Sequence, residues 1–193
     1  MSTSNAQDLV VAIFSGGSGA GKSTLIRNIL DAREDSYLAM SSTTRAKRSD
    51  DSIEETNFLT SEKFKEMEDS GSFLWSTSVH GKRYGTEVDF FKRQCGLVLC
   101  DVAYPSAAAA RREISNFRPD LKIFSCYLFS PPPEQLRKRL LKRGDLESSI
   151  SRRMLDCELW DDNARRDNQL DILLDGSHTP EEKLSTLLSV LPS

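Results

Sequence analysis

Two hydrophobic patterns alternate along this chain. Unbroken apolar runs stand at Leu9-Val10-Val11-Ala12-Ile13-Phe14, at Leu97-Val98-Leu99-Cys100 and at Ile123-Phe124-Ser125-Cys126-Tyr127-Leu128-Phe129. Runs this short, bounded by turn residues, predict strands buried on both faces of a parallel sheet. Between and after them the spacing becomes helical. Ile150, Met154, Cys157, Trp160 and Ala164 recur every three or four positions, which predicts a long helix with one apolar face. Further helices are expected over about 22–33, 106–114 and 180–191, and from Pro133 to about Lys142, where prolines suit a first turn. Leu38-Ala39-Met40 and Asp171-Ile172-Leu173-Leu174 read as short strands. Strands alternating with helices imply an α/β fold, a parallel sheet covered on both faces.

The stretch over about 43–90 breaks this rhythm. Residues 46–57 are polar, rich in Ser, Asp and Glu, and expected to be exposed. Ser61 to Met67 reads as a helix capped by Thr60 or Ser61. Ser70-Gly71-Ser72 ends it; a strand over 73–79, a turn at His80-Gly81-Lys82-Arg83 and a short return at Tyr84-Gly85-Thr86 follow. A helix over about 87–94 completes the segment. The chain of 193 residues is therefore read as one domain. Its core covers 9–42 and 96–191, with an insertion over about 43–90.

Composition narrows the class. A net charge of −3 argues against a protein that lives on nucleic acid. No stretch approaches membrane-spanning length and the N-terminus lacks a signal-peptide pattern, so a cytoplasmic protein is expected. Cys95, Cys100, Cys126 and Cys157 show no C-x-x-C spacing and are read as small core residues.

The chemistry is concentrated at Gly16-Gly17-Ser18-Gly19-Ala20-Gly21-Lys22-Ser23, followed by Thr24. This is the G-x-x-x-x-G-K-[ST] phosphate-binding loop, and it stands between a predicted strand and a predicted helix. Glycines let consecutive backbone N–H groups turn inward around an anion, and the helix N-terminus adds to the attraction. Lys22 is expected to reach the β- and γ-phosphates of ATP, and Ser23 to bind magnesium. Asp101 ends a buried strand, at the sheet edge where α/β ligands bind. It would hold the metal through water or orient the acceptor. Ser41-Ser42-Thr43-Thr44-Arg45-Ala46-Lys47-Arg48 sets two arginines three apart behind hydroxyls, a clamp for a second phosphate. Arg139, Arg143 and Arg153 flank Gly144 over about 139–153, the composition of a lid that closes over a transferring phosphoryl group. Taken singly, His80 reads as a turn residue and Trp75 as a core or pocket-wall aromatic.

Together these stretches resemble the guanylate kinase family. The resemblance rests on residues 16–25, on Ser41-Ser42-Thr43-Thr44-Arg45-x-x-Arg48 and on His80-Gly81-x-x-Tyr84-Gly85-Thr86. The strand ending in Asp101, Pro132-Pro133, Arg139-x-x-x-Arg143-Gly144 and Ile150-x-x-Arg153 extend it. It implies a P-loop NTPase three-layer sandwich with an acceptor-binding insertion and a lid. It further implies transfer of the ATP γ-phosphoryl group, with magnesium, to a small phosphorylated acceptor, most simply a nucleoside monophosphate. Ser41, Arg45, Arg48 and Tyr84 would then hold the acceptor phosphate, and Thr86 would line its pocket. Arg139, Arg143 and Arg153 would form the lid. A monomer or homodimer is expected.

The sequence departs from that family where guanine is read. Trp75 and Ala103 stand at two positions where the family has acidic residues, and Thr56 stands where the family has a phosphate-binding tyrosine. Ribose 1,5-bisphosphate phosphokinases offer a second resemblance, through Trp75, His80-Gly81-x-x-Tyr84-Gly85 and Leu174-Asp175-Gly176-Ser177. Non-catalytic guanylate kinase-like binding modules are a third reading; those lose the loop lysine and lid arginines, which this chain keeps.

Overall fold

The computed structural model describes residues 8–47, 56–79 and 81–192. Five parallel strands form the central sheet in the order β2-β7-β1-β8-β9: β1 (Leu9–Gly16), β2 (Ser36–Leu38), β7 (Gly96–Asp101), β8 (Lys122–Leu128) and β9 (Ile172–Leu174). Every residue of β1 is buried, as expected of a central strand covered on both sides. Its side chains divide by parity. Val10, Ala12 and Phe14 enter a core shared with Leu25, Ile26 and Ile29 of α1 (Lys22–Ala32) and Leu187 of α6 (Pro180–Val190). Leu9, Val11 and Ile13 enter the opposite core with Ala107, Ala110 and Ile114 of α3 (Tyr104–Phe117). A parallel sheet between two helical layers is the arrangement that the alternating patterns imply, and the P-loop NTPase sandwich that the family resemblance implies.

A second, four-stranded sheet runs β4-β3-β6-β5. It contains β3 (Ser41–Thr43), β4 (Thr56–Phe58), β5 (Phe73–Val79) and β6 (Lys82–Glu87). One face is covered by α2 (Ser61–Asp69), whose Phe64 ring lies 4.8 Å from that of Phe73. The other face looks onto the central sheet's ligand edge. Two further helices, α4 (Pro133–Lys142) and α5 (Glu147–Ala164), pack through Leu136, Leu140, Ile150 and Cys157.

Three expectations need correction. The helix over 87–94 is a single 3-10 turn, Val88–Lys92: Phe91 alone is buried there, too little apolar surface to fix a longer helix. The strand expected at Leu38–Met40 is centred two residues earlier, since Ser36–Leu38 pairs with Leu97–Leu99. Cys95 is exposed, whereas Cys100, Cys126 and Cys157 are buried. Burial pushes all three buried thiols up from their ordinary pKa.

Candidate functional site

The P-loop leaves β1 at Gly16, whose φ of +142° favours glycine and whose added Cβ would lie 2.4 Å from the Leu128 carbonyl oxygen. The loop closes at Gly21, the left-handed N-cap of α1, where φ is +102°. A side chain at either position would be strained. Within this loop Lys22 folds back: Nζ donates to the carbonyls of Gly16 (3.0 Å) and Gly17 (3.3 Å). The same Nζ is 3.8 Å from Asp101 Oδ1, and Ser23 Oγ is 3.5 Å from Asp101 Oδ2.

Register explains how Asp101 arrives there. Parallel pairing of β1 with β7 sets Phe14 beside Asp101, two residues before the loop begins. Ser23 and Asp101 present two hard oxygen donors side by side, the donor type magnesium takes from protein while substrate phosphates and waters complete its shell. The donor set at this edge therefore fits magnesium.

The second sheet builds the other wall by strict alternation. Ser41 pairs with Thr86, and Thr86 with Trp75; Thr43 pairs with Tyr84, and Tyr84 with Thr77. Two cross-strand rows thus share one face, and Thr56, opposite Ser41, joins it. All of these residues line a cavity of about 1000 Å³ that also takes in the P-loop, Ser23, Thr24, Arg45, Asp101, Ala103 and the lid arginines. Gly85 lies on the opposite face, where a Cβ would sit 2.7 Å from the Phe73 ring.

Trp75 has two roles in packing. It is buried, its ring 5.6 Å from that of Phe91, and its edge meets the cavity. Arg45 is placed by its backbone N–H, which donates to Thr43 Oγ1 at 3.2 Å, and by the Phe58 ring 5.2 Å from its guanidinium carbon. Arg48 and His80 lie outside the described residues.

Three arginines approach the P-loop from α4 and α5. Arg139 Nη1 donates to the Gly19 carbonyl at 3.0 Å, and Arg153 Nη1 donates to Ser18 Oγ at 2.8 Å. Arg143 Nε donates to Asp145 Oδ2 at 2.9 Å, and Arg153 Nε lies 3.8 Å from Asp145 Oδ1. Asp145 is a residue that sequence reasoning missed. It sits in the turn after Gly144, and only its proximity to two arginines in space marks it. Asp161 was also unremarked, and Cys157 was read only as a core residue. Cys157 Sγ donates to the Ser18 carbonyl at 3.7 Å. Asp161 accepts from the Tyr127 hydroxyl at 2.7 Å and the Ser130 N–H at 3.1 Å. Burial foremost, then Asp161, pushes the Tyr127 hydroxyl far up, so it stays a donor bracing this loop.

A P-loop, a metal-type oxygen pair and converging arginines on a three-layer α/β sandwich define a P-loop phosphotransferase. Comparison with known proteins carries this further. A model of the guanylate kinase family matches residues 9–175. A guanylate kinase of Trichormus variabilis is 35% identical over 144 residues, covering 74% of this chain and 71% of its own. One of Prochlorococcus marinus is 30% identical over 187 residues, covering 94% and 96%. The crystal structure of guanylate kinase from Anaplasma phagocytophilum superposes with a TM-score of 0.68 over 96% of this chain and 85% of that one; at 16% identity the likeness is one of fold.

The chain belongs to the guanylate kinase family. It is an ATP-dependent phosphotransferase of the nucleoside monophosphate kinase type and uses ATP with magnesium. The sugar-phosphate reading, drawn from short segments around Trp75 and Asp175, finds no support among these relatives. No helix among the described residues is long and apolar enough to cross a membrane.

Proposed function

We propose that this enzyme transfers the γ-phosphoryl group of ATP to the 5′-phosphate of a nucleoside monophosphate without strong selectivity for guanine. The insertion over about 43–90 receives the acceptor, and the segment over about 139–153 acts as the lid. The backbone N–H groups of Gly16 to Thr24 cradle the donor phosphates, and Lys22 exchanges its two loop carbonyls for phosphate oxygens. Ser41, Arg45, Arg48 and Tyr84 hold the acceptor phosphate, with Thr86 beside them. An acceptor phosphate oxygen attacks the γ-phosphorus as the bond to the β–γ bridging oxygen breaks, and ADP leaves. Arg139, Arg143 and Arg153 meet the charge that spreads over the transferring group. Magnesium, held by Ser23 and Asp101, would draw charge from the phosphate oxygens. Positioning and electrostatics suffice, so no covalent intermediate with the protein is invoked.

One observation carries the statement about the base. Trp75 and Ala103 line the cavity together, an indole and a methyl group where guanine's N1 and N2 donors would call for carboxylates. Asp101 is the one carboxylate among the described lining residues, and it faces Lys22 and Ser23. A donor left without an acceptor in such a pocket costs about 1–3 kcal/mol. The named relatives are guanylate kinases, so GMP heads the acceptors to test.

The test is ADP formation from ATP and magnesium, with and without each nucleoside monophosphate. At least one acceptor should raise the rate a hundredfold over the acceptor-free rate. Equal rates with and without acceptor would make the protein an ATPase. No turnover with any acceptor would make it a binding module.

A further inference from the structure

The cavity has an end that the acceptor reading leaves unused. Trp75 packs into the core on the α3 face of the central sheet, whereas α6 packs on the opposite face, through Leu187. On that α6 side the cavity is lined by His178, Pro180 and Lys183, with Arg139 between them and the P-loop. If the acceptor occupies the second sheet, as proposed above, a nucleotide with its phosphates on the P-loop extends its base toward α6.

Lys183 is out of place there. It sits on the stripe of α6 that carries Leu184, Leu187 and Leu191, positions that pack into the core. It is 5% exposed, a degree of burial lysine rarely shows. Its Nζ donates to the Gly176 carbonyl at 3.2 Å, which uses one of three N–H donors. Burial, and then the neighbouring Arg139 charge, lowers its pKa; Asp175 and Glu182 act in the other direction. A buried ammonium is costly unless its donors find acceptors, so its two other donors call for a ligand that accepts.

An ammonium only donates. Guanine and hypoxanthine offer O6 and N7 as adjacent acceptors, a pair that lysine contacts directly; adenine has an amino donor in place of O6. We propose that Lys183 is a specificity-determining residue for the phosphoryl donor: it reads O6 and N7 of a 6-oxopurine, so that GTP and ITP serve as donors alongside ATP. This rests on the assignment of the second sheet to the acceptor.

The experiment measures kcat/KM for ATP, GTP and ITP with one fixed acceptor. Wild type should use GTP and ITP within about tenfold of ATP, ITP testing O6 and N7 without the 2-amino group. Lys183→Met should lower the GTP-to-ATP and ITP-to-ATP ratios at least tenfold, and Lys183→Arg should restore them in part. Wild type that ignores both GTP and ITP overturns the proposal, with no variant needed. Ratios unchanged in Lys183→Met also overturn it and leave Lys183 as a tie to Gly176. Arg45→Ala separates this from the underlying reading: if it raises KM for the three donors as much as for the acceptor, the assignment of the second sheet to the acceptor fails instead.

Discussion

The two walls of the cavity are made differently. The donor wall grows from a fully buried parallel strand, and its loop is fixed by Gly16 against the Leu128 carbonyl. The acceptor wall is a small sheet of short strands in which most residues are half-buried or exposed. Backbone groups do the binding on the first wall, so few side chains can vary there without loss. On the proposed assignment, side chains on alternate positions do it on the second, so each position can be changed while the strand survives. On the same assignment, that contrast explains how the phosphate-handling residues are kept while Trp75 and Ala103 line the wall where the base would lie.

The comparison is broken most severely at the donor wall. Lys22→Ala should leave the fold intact and lower kcat about 10³-fold, because the positive charge on the phosphates is lost. Stopped-time ADP assays on a variant with unchanged circular dichroism check this; activity within a few-fold of wild type would refute the loop assignment.

Arg45→Ala addresses the other wall. Truncating one partner of a buried charge pair costs about 3 kcal/mol, on the order of 10²-fold. The loss should appear in kcat/KM for the acceptor, while KM for ATP moves little. Equal losses for both substrates would mean that the walls are not separate sites.

Trp75→Glu combined with Ala103→Asp sharpens the contrast. Supplying carboxylate acceptors should raise GMP use relative to other acceptors about tenfold. Initial-rate ratios measure it, and an unchanged ratio would show that these positions do not face the base.

The smallest expected effect concerns how the second sheet is held to α2. Glu68 accepts from Ser76 Oγ at 2.6 Å and pairs with Arg83. The Ser76 hydrogen bond first, then Arg83, holds its carboxyl below the ordinary carboxylate range. A pKa lowered by folding stabilises the protein above the unfolded value of about 4.3, and that stability is lost as pH falls through the folded value. The pair is partly exposed, so it contributes below about 1 kcal/mol. Urea unfolding of Glu68→Gln against wild type should differ slightly at pH 7, and the difference should shrink as pH falls below the unfolded value.

Legibility in the sequence follows the same division. Continuous apolar runs mark β1, β7 and β8 because burial on both faces demands them, and the P-loop stands where the first run ends. β3 and β4 escaped because Ser41–Thr43 and Thr56–Phe58 are three residues each and largely polar. Their alternation carries meaning only once Ser41 is seen opposite Thr86. Asp145 was hidden for another reason: it acts on Arg143 and Arg153 through a turn, and no spacing in the chain announces that. Lys183 did leave a signal, a lysine on the leucine stripe of the last helix.

The most direct test of the central claim is a competition. Wild-type enzyme receives limiting ATP with magnesium and an equimolar mixture of the ribo- and deoxynucleoside monophosphates, and the diphosphates formed are separated and quantified. The account predicts ADP equal to the sum of the diphosphates made from the other acceptors plus two for each AMP consumed, with GDP no more than about tenfold above the next acceptor-derived diphosphate. GDP as the sole acceptor-derived diphosphate, in excess of about 10³-fold over that of every other nucleobase, would contradict it and show that this pocket reads guanine despite Trp75 and Ala103.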